Sequence, residues 1–281
     1  MSGLAFRKTP TPTPAIAALF LADNYNINGQ LASTTYPSAK LITYSYNTLG
    51  QIDGISVNGA PILSAAHYQP FGPVAQWSWG NNSPYARRFD SDGRVFSYPL
   101  GPTNTRTLGF DDASRIQNQT ETAPLANTLF TYDALDRLLT WQPPNANQSY
   151  YYDANGNRIS LVLGGNSYPN TISPTSNRLQ SVAGPSAKTY SYNLSGNRTN
   201  DGTNSFSYDA AQRLTQVSFP GGSSTYSLNA LGQRILKSGT GIATTHFVYD
   251  EGGQLIGEYS GGGQPIEETL YLGDLPVAVL R

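Results

Sequence analysis

The chain contains no cysteine. That excludes disulfide stapling and any Cys-ligated zinc or iron–sulfur site. Histidine is almost as scarce. His67 and His246 stand far apart, so no multi-histidine metal cluster is expected and no cofactor is implied. Charged residues make up only 12% of the 281 residues, about half the usual share. The net charge is −1, and basic residues adjoin only at Arg7-Lys8 and Arg87-Arg88. A nucleic-acid partner would call for a basic surplus, and none is present. Long apolar runs are also missing. The longest candidate, AIAALFLA at 15–22, is too short to span a bilayer. It follows a TPTPTP run at 9–14, which disfavours helix.

What the chain has instead is 28 Gly, 19 Pro and 19 Tyr. Ser, Thr, Asn and Gln supply its polarity. This composition predicts many short strands and turns, and the aromatic content argues against disorder. The strongest signal is repetition. An aromatic, an Asp or Asn, two variable residues, a glycine-like position and an Arg or Gln precede an aliphatic, as in YNTLGQI at 46–52 and YDALDRL at 132–138. The anchors are Tyr25, Tyr46, Tyr68, Phe89, Phe110, Tyr132, Tyr152, Tyr192, Tyr208 and Tyr249, with degenerate copies at Ser173 and Leu228. They recur about every 21 residues, the mark of a repeat architecture.

Each copy reads as a hairpin turn. The Asp or Asn side chain accepts backbone N–H groups two residues on. Gly50, Gly93, Gly156 and Gly196 fit a left-handed position, and Asn177 and Asp136 substitute there. Copies such as Gly156-Asn157-Arg158 and Gly196-Asn197-Arg198 look one residue longer, as in a bulged hairpin. Alternation in stretches such as Phe206–Tyr208 predicts half-buried strands. The expected fold is all-β: tandem hairpins in a long, coiled antiparallel sheet of twenty or more strands, forming a spiral or partial shell. The expected organisation is a Pro/Thr-rich lead at 1–23 and a repeat domain at 24–281.

The recurring arginine, including Arg137, Arg158 and Arg198, admits two roles. One is a ligand ladder. The other sets its planar head on the neighbouring unit's tyrosine ring or against turn carbonyls and Asp. Its recurrence with the turn, and with no basic face, favours the second. Trp77, Trp79 and Trp141 are candidate ligand-binding residues, with carbohydrate stacking weighed against core packing. No catalytic residue is assigned. Glu267-Glu268 and Asp111-Asp112 are adjacent acids that a strand points to opposite faces. Glu258, Glu267 and Asp274 are the carboxylates left for a glycosidase, the most distant expectation. Neither histidine lies in a nucleophile-elbow sequence.

These units resemble the YD repeats of the bacterial Rhs (rearrangement hot spot) family, also found in insecticidal toxin-complex proteins and animal teneurins. The matching stretches include YNINGQL at 25–31, FDSDGRV at 89–95, YDANGNRI at 152–159 and YDEGGQLI at 249–256. The final VYDEGGQLIGEY and YLGDLPVAVLR are similar to the segment before the conserved core region of bacterial members. The resemblance implies a strand spiral walling a hollow shell that encloses or presents a toxin. It implies a non-catalytic scaffold in a secreted or surface delivery system of bacterial competition, cytoplasmic before delivery. It also implies a toxin cargo, a shell-completing protein or a second copy as partner. A carbohydrate- or protein-binding surface is the alternative.

Overall fold

The computed structural model describes residue 19, residues 21–70 and residues 72–281. The TPTPTP run and most of the 15–22 stretch therefore lie outside the described residues, as does most of the 1–23 lead. Every regular element among the described residues is a strand, from β1 (Ala22–Tyr25) to β28 (Leu275–Leu280). None is a helix, so none is long and apolar enough to cross a membrane. The chain is an all-β, antiparallel repeat protein.

Strands neighbour in space as they do in sequence. β1 to β7 (Pro84–Ala86) form a seven-stranded sheet, β8 (Arg88–Phe89) to β18 (Lys188–Thr189) an eleven-stranded sheet, and β19 (Ser191–Tyr192) to β28 a ten-stranded sheet. None closes on itself. The expected single sheet is thus three, and the hand-overs are local. Pro84–Ala86 pairs backward with residues 76–78, and two residues later Arg88–Phe89 pairs forward with residues 95–97. At the second break, Thr189 pairs with Ser181 while Ser191 pairs with Asn200.

Register explains the turns. Pairing shifts at the anchor aromatic in copy after copy: at Phe110, Tyr132, Tyr152, Tyr208 and Tyr249. Each hairpin therefore carries a bulge, which bends the strand and lets a compact turn close it. Register also corrects the expectation of longer loops at Gly156 and Gly196. Tyr132 pairs with Leu138, Tyr152 with Arg158 and Tyr192 with Arg198, so all three loops span the same number of residues. In the second, Asn157 takes the slot of Arg137, and the arginine moves one place on.

The chain divides into two compact units: residues up to Ile42 together with Ser224–Arg281, and Thr43–Ser223. In the first, Tyr36, Ile42, Ile256, Tyr259, Leu270 and Leu272 are buried. The core of the second lies at its start, on Ile55, Leu63, Val74 and Trp77. Beyond Trp77, its buried described residues are all polar: Ser97, Thr128, Ser173 and Asp201. Apolar side chains here are half-covered or exposed, so each contributes at most part of its ~1.5–3 kcal/mol of full burial.

The turn at Tyr36–Lys40 shows one local strain. Ala39 sits at φ +63°, where the repeat turns place glycine. Ala39→Gly should stabilise the split unit by up to about 1 kcal/mol, although it loosens the unfolded chain. A urea midpoint equal to or below that of the parent would contradict this.

Candidate functional site

The site with the most complete geometry is the repeat itself. In the copy at Tyr132, the carboxylate of Asp133 accepts the N–H of Leu135 at 2.9 Å and of Arg137 at 3.0 Å through Oδ1. Its Oδ2 accepts Arg137 Nε at 2.7 Å. Asp136 closes the turn at φ +61°. The copy at Tyr46 is built the same way without charge. Asn47 Oδ1 accepts Leu49 N and Gln51 N, and its Nδ2 donates to Gln51 Oε1 at 3.0 Å. Gly50, Gly93, Gly156 and Gly196 all have positive φ, between +78° and +90°. In the copy at Phe110, the Arg115 side chain and its N–H hold the Asp111 carboxyl below the usual carboxylate range.

Each unit is then tied to the next. Tyr132 Oη donates to the carbonyl of Ile116 at 2.7 Å and Tyr152 to that of Leu138 at 2.9 Å. Tyr68, Tyr192, Tyr208, Tyr249 and Tyr271 repeat this bond to Ile52, Leu179, Arg198, Arg234 and Leu255. Arginine from the preceding turn covers the same ring: Arg94 over Phe110 at 4.5 Å, Arg115 over Tyr132 at 4.9 Å and Arg137 over Tyr152 at 4.6 Å. Arg137 Nη1 also donates to the carbonyl of Asp153 at 3.2 Å. The guanidinium thus spends its donors on two successive turns and its face on a ring, as its planar shape allows. Arg158 and Arg198, one slot later, cover Tyr150 and Phe206 instead. Phe89 has no hydroxyl, and Arg87 sits 5.8 Å from its ring. Tyr25 is half-exposed, at 53%.

The candidate ligand residues separate. Trp77 is buried, stacked on Tyr85 at 4.0 Å and edge-on to Trp79 at 5.3 Å. Trp79 lines a pocket of about 210 Å³ with Tyr85, Pro84, Pro99, Leu100 and Pro102. Trp141 lies in another sheet, opposite Phe130. Among the carboxylates, Glu258 stands directly across from Glu267, which binds Arg281 at 3.2 Å. Asp274 lies instead beside Gln254. Among the described residues no group of three His, Cys, Asp or Glu is arranged to hold a metal.

A second cluster is not visible in the sequence. Glu268 is fully buried. It accepts Tyr259 Oη at 2.6 Å, Ser38 Oγ at 2.7 Å and Lys40 Nζ at 2.9 Å. Tyr36 Oη adds a bond to the carbonyl of Thr269 at 3.0 Å. Burial opposes the charge on Glu268, but the bonds from Tyr259, Ser38 and Lys40 outweigh it and hold its pKa low. Burial, then the Glu268 bond, pushes Tyr259 up. This clasp joins segments about 230 residues apart inside the split unit. A charge alternating with Leu270 and Leu272 is the one signal the sequence offers for it.

Bulged hairpins, turn-capping acids and an aromatic–arginine ladder define a YD-repeat wall protein. Residues 104–254 match the Teneurin YD-shell family, which covers more than half of the chain, and the chain belongs to that family. It is 32% identical over 104 residues to the tRNA3(Ser)-specific nuclease WapA of Bacillus spizizenii and to the tRNA nuclease WapA of Bacillus subtilis. Those matches cover 36% of this chain and 4% of each relative. In fold it is similar to a chain of the Photorhabdus luminescens Tc holotoxin pore, with a TM-score of 0.53, 14% identity, and coverage of 89% of this chain and 17% of that one. It is likewise similar to the TcdB2-TccC3 structure without its hypervariable C-terminal region, with a TM-score of 0.53, 12% identity, and 92% and 18% coverage.

Proposed function

We propose that this chain is a wall segment of a YD-repeat shell in a toxin-delivery system, and that it encloses or presents a toxin chain without catalysing a reaction itself. The observation that carries this is an aromatic face of the eleven-stranded sheet that is only half-covered. Register puts Tyr98, Phe130, Trp141, Tyr150 and Tyr168 on that face. None of them is fully buried. A soluble protein rarely leaves such a surface without an occupant. The ladder fits the same role, because it spends its arginines on neighbouring turns and leaves no reactive group. Similarity to a chain of a Tc holotoxin pore and to the WapA nucleases supports a secreted or surface location, and a cytoplasmic stage before delivery belongs to the same proposal.

Protease protection tests this. A small ribonuclease domain fused after Arg281 should resist limited proteolysis. Replacing both Phe130 and Tyr150 with Asp should abolish that resistance and leave the wall's circular dichroism intact. Equal digestion of the ribonuclease in parent and variant would overturn the proposal.

A further inference from the structure

The opposite face of the same sheet has a different chemistry. Cross-strand register places Thr107, Thr120 and Asn127 in one row, and Thr131, Thr140 and Ser149 in another. From the strand Val95–Pro99 to β18, no residue that pairing assigns to this face is Asp, Glu, Lys, Arg or His. Apart from Arg88, which the edge strand sets across from Ser97, the sheet's charges lie in its turns and on the aromatic face, where Arg106 pairs with Glu121. A soluble surface ordinarily carries roughly a quarter to a third charged side chains. A face of ten strands with none departs far from that.

The face is accessible. Thr131, Ser167 and Thr171 are exposed. Near its middle, Tyr151 is 52% exposed, directly across from Ser160 and two residues along the strand from Ser149. Thr131 and Thr140 share a hydroxyl–hydroxyl bond of 2.7 Å, and Gln142 Nε2 donates to Thr140 Oγ1 at 3.2 Å. Each hydroxyl still has lone pairs to offer, and Asn and Gln bring both a donor and an acceptor.

We propose that this face binds a neutral polysaccharide, with Tyr151 as the stacking platform. Charge complementarity selects the occupant. A charged polymer finds no counter-charge on these ten strands beyond Arg88 at the sheet's edge, and a typical protein partner would set its own charges against an uncompensated surface. A neutral glycan brings only hydroxyls, which match the Thr, Ser, Asn and Gln rows, and C–H ring faces, which match an exposed tyrosine ring. This surface is separate from the aromatic face assigned to cargo, so the two can fail independently.

The test is affinity electrophoresis of the full chain through gels containing hydroxyethyl cellulose, galactomannan or dextran, with polygalacturonate as the anionic control. At least one neutral polymer should retard the chain, and polygalacturonate should not. Tyr151→Ala should weaken retardation at least tenfold, and Thr131→Lys should weaken it too, with unchanged circular dichroism. Tyr151→Phe should retain it, because the ring and not the hydroxyl stacks. The proposal is overturned by any of three results. One is no retardation by a neutral polymer. Another is retardation that survives Tyr151→Ala. The last is concentration-dependent self-association lost in Tyr151→Ala without polysaccharide retention, which would make a second copy the occupant.

Discussion

Glu268→Ala should destabilise the split unit by about 3–5 kcal/mol, the range for breaking a buried ion pair by removing one partner. The variant leaves Tyr259 Oη buried without its acceptor and takes Ser38 and Lys40 off their anchor. Lys40 keeps some access to water, with 25% of its side chain exposed, which favours the lower end of the range. Hydrogen exchange is the direct measurement. Peptides covering 31–42 and 259–272 should lose protection together. Because all three tryptophans lie in Thr43–Ser223, tryptophan emission should report that unit alone and stay unchanged. Unaltered protection at 31–42 would show that the clasp carries no weight. The same cluster sets an acid limit. The folded pKa of Glu268 is lowered, so its stabilising contribution is fully present above the unfolded value of about 4.3 and is lost as pH falls through the folded one. Acid should therefore loosen 31–42 below about pH 4, and Glu268→Gln should remove most of that pH dependence.

Tyr132→Ala should cost about 2–4 kcal/mol, at or below the range for a fully buried ring because this one is half-covered. It deletes the ring under Arg115 and the bond to the Ile116 carbonyl. Tyr132→Phe isolates the second loss and should cost about 1 kcal/mol. Equilibrium urea unfolding of the two variants, followed by tryptophan emission, separates the contributions. In a repeat wall each unit touches mainly its neighbours, so the damage should centre on the copies at Phe110, Tyr132 and Tyr152. An alanine variant as stable as the parent would remove the ladder as the source of cohesion.

Much of the wall is legible in the residues themselves. The anchor aromatic, the capping Asp or Asn and the left-handed glycine each satisfy a requirement met within a few residues, so Tyr46–Ile52 and Tyr132–Leu138 announce their turns from local chemistry alone. The placement of arginine on the next unit's ring is also readable, because it follows from a short, regular spacing. The loop length at Gly156 is not, because the shifted Arg158 resembles an insertion. Only pairing across the hairpin shows that Tyr152–Arg158 and Tyr132–Leu138 are equal. The tryptophans are ambiguous for a related reason: burial of Trp77 depends on Tyr85, a strand away.

By itself, then, the sequence determined the all-β class, the repeat, the turn chemistry and the family resemblance, all of which rest on contacts between residues near in the chain. Tertiary structure alone decided the rest. It joined Ser38 and Lys40 to Glu268, opposed Glu258 to Glu267, buried Trp77 and left Tyr151 exposed. It also sorted the eleven-stranded sheet into an aromatic face and one that is uncharged over ten of its strands. Each of these depends on register or on packing across long stretches of chain. One residue of slip reverses every side chain in a strand, and the sequence does not state where the bulges fall until the strands have paired.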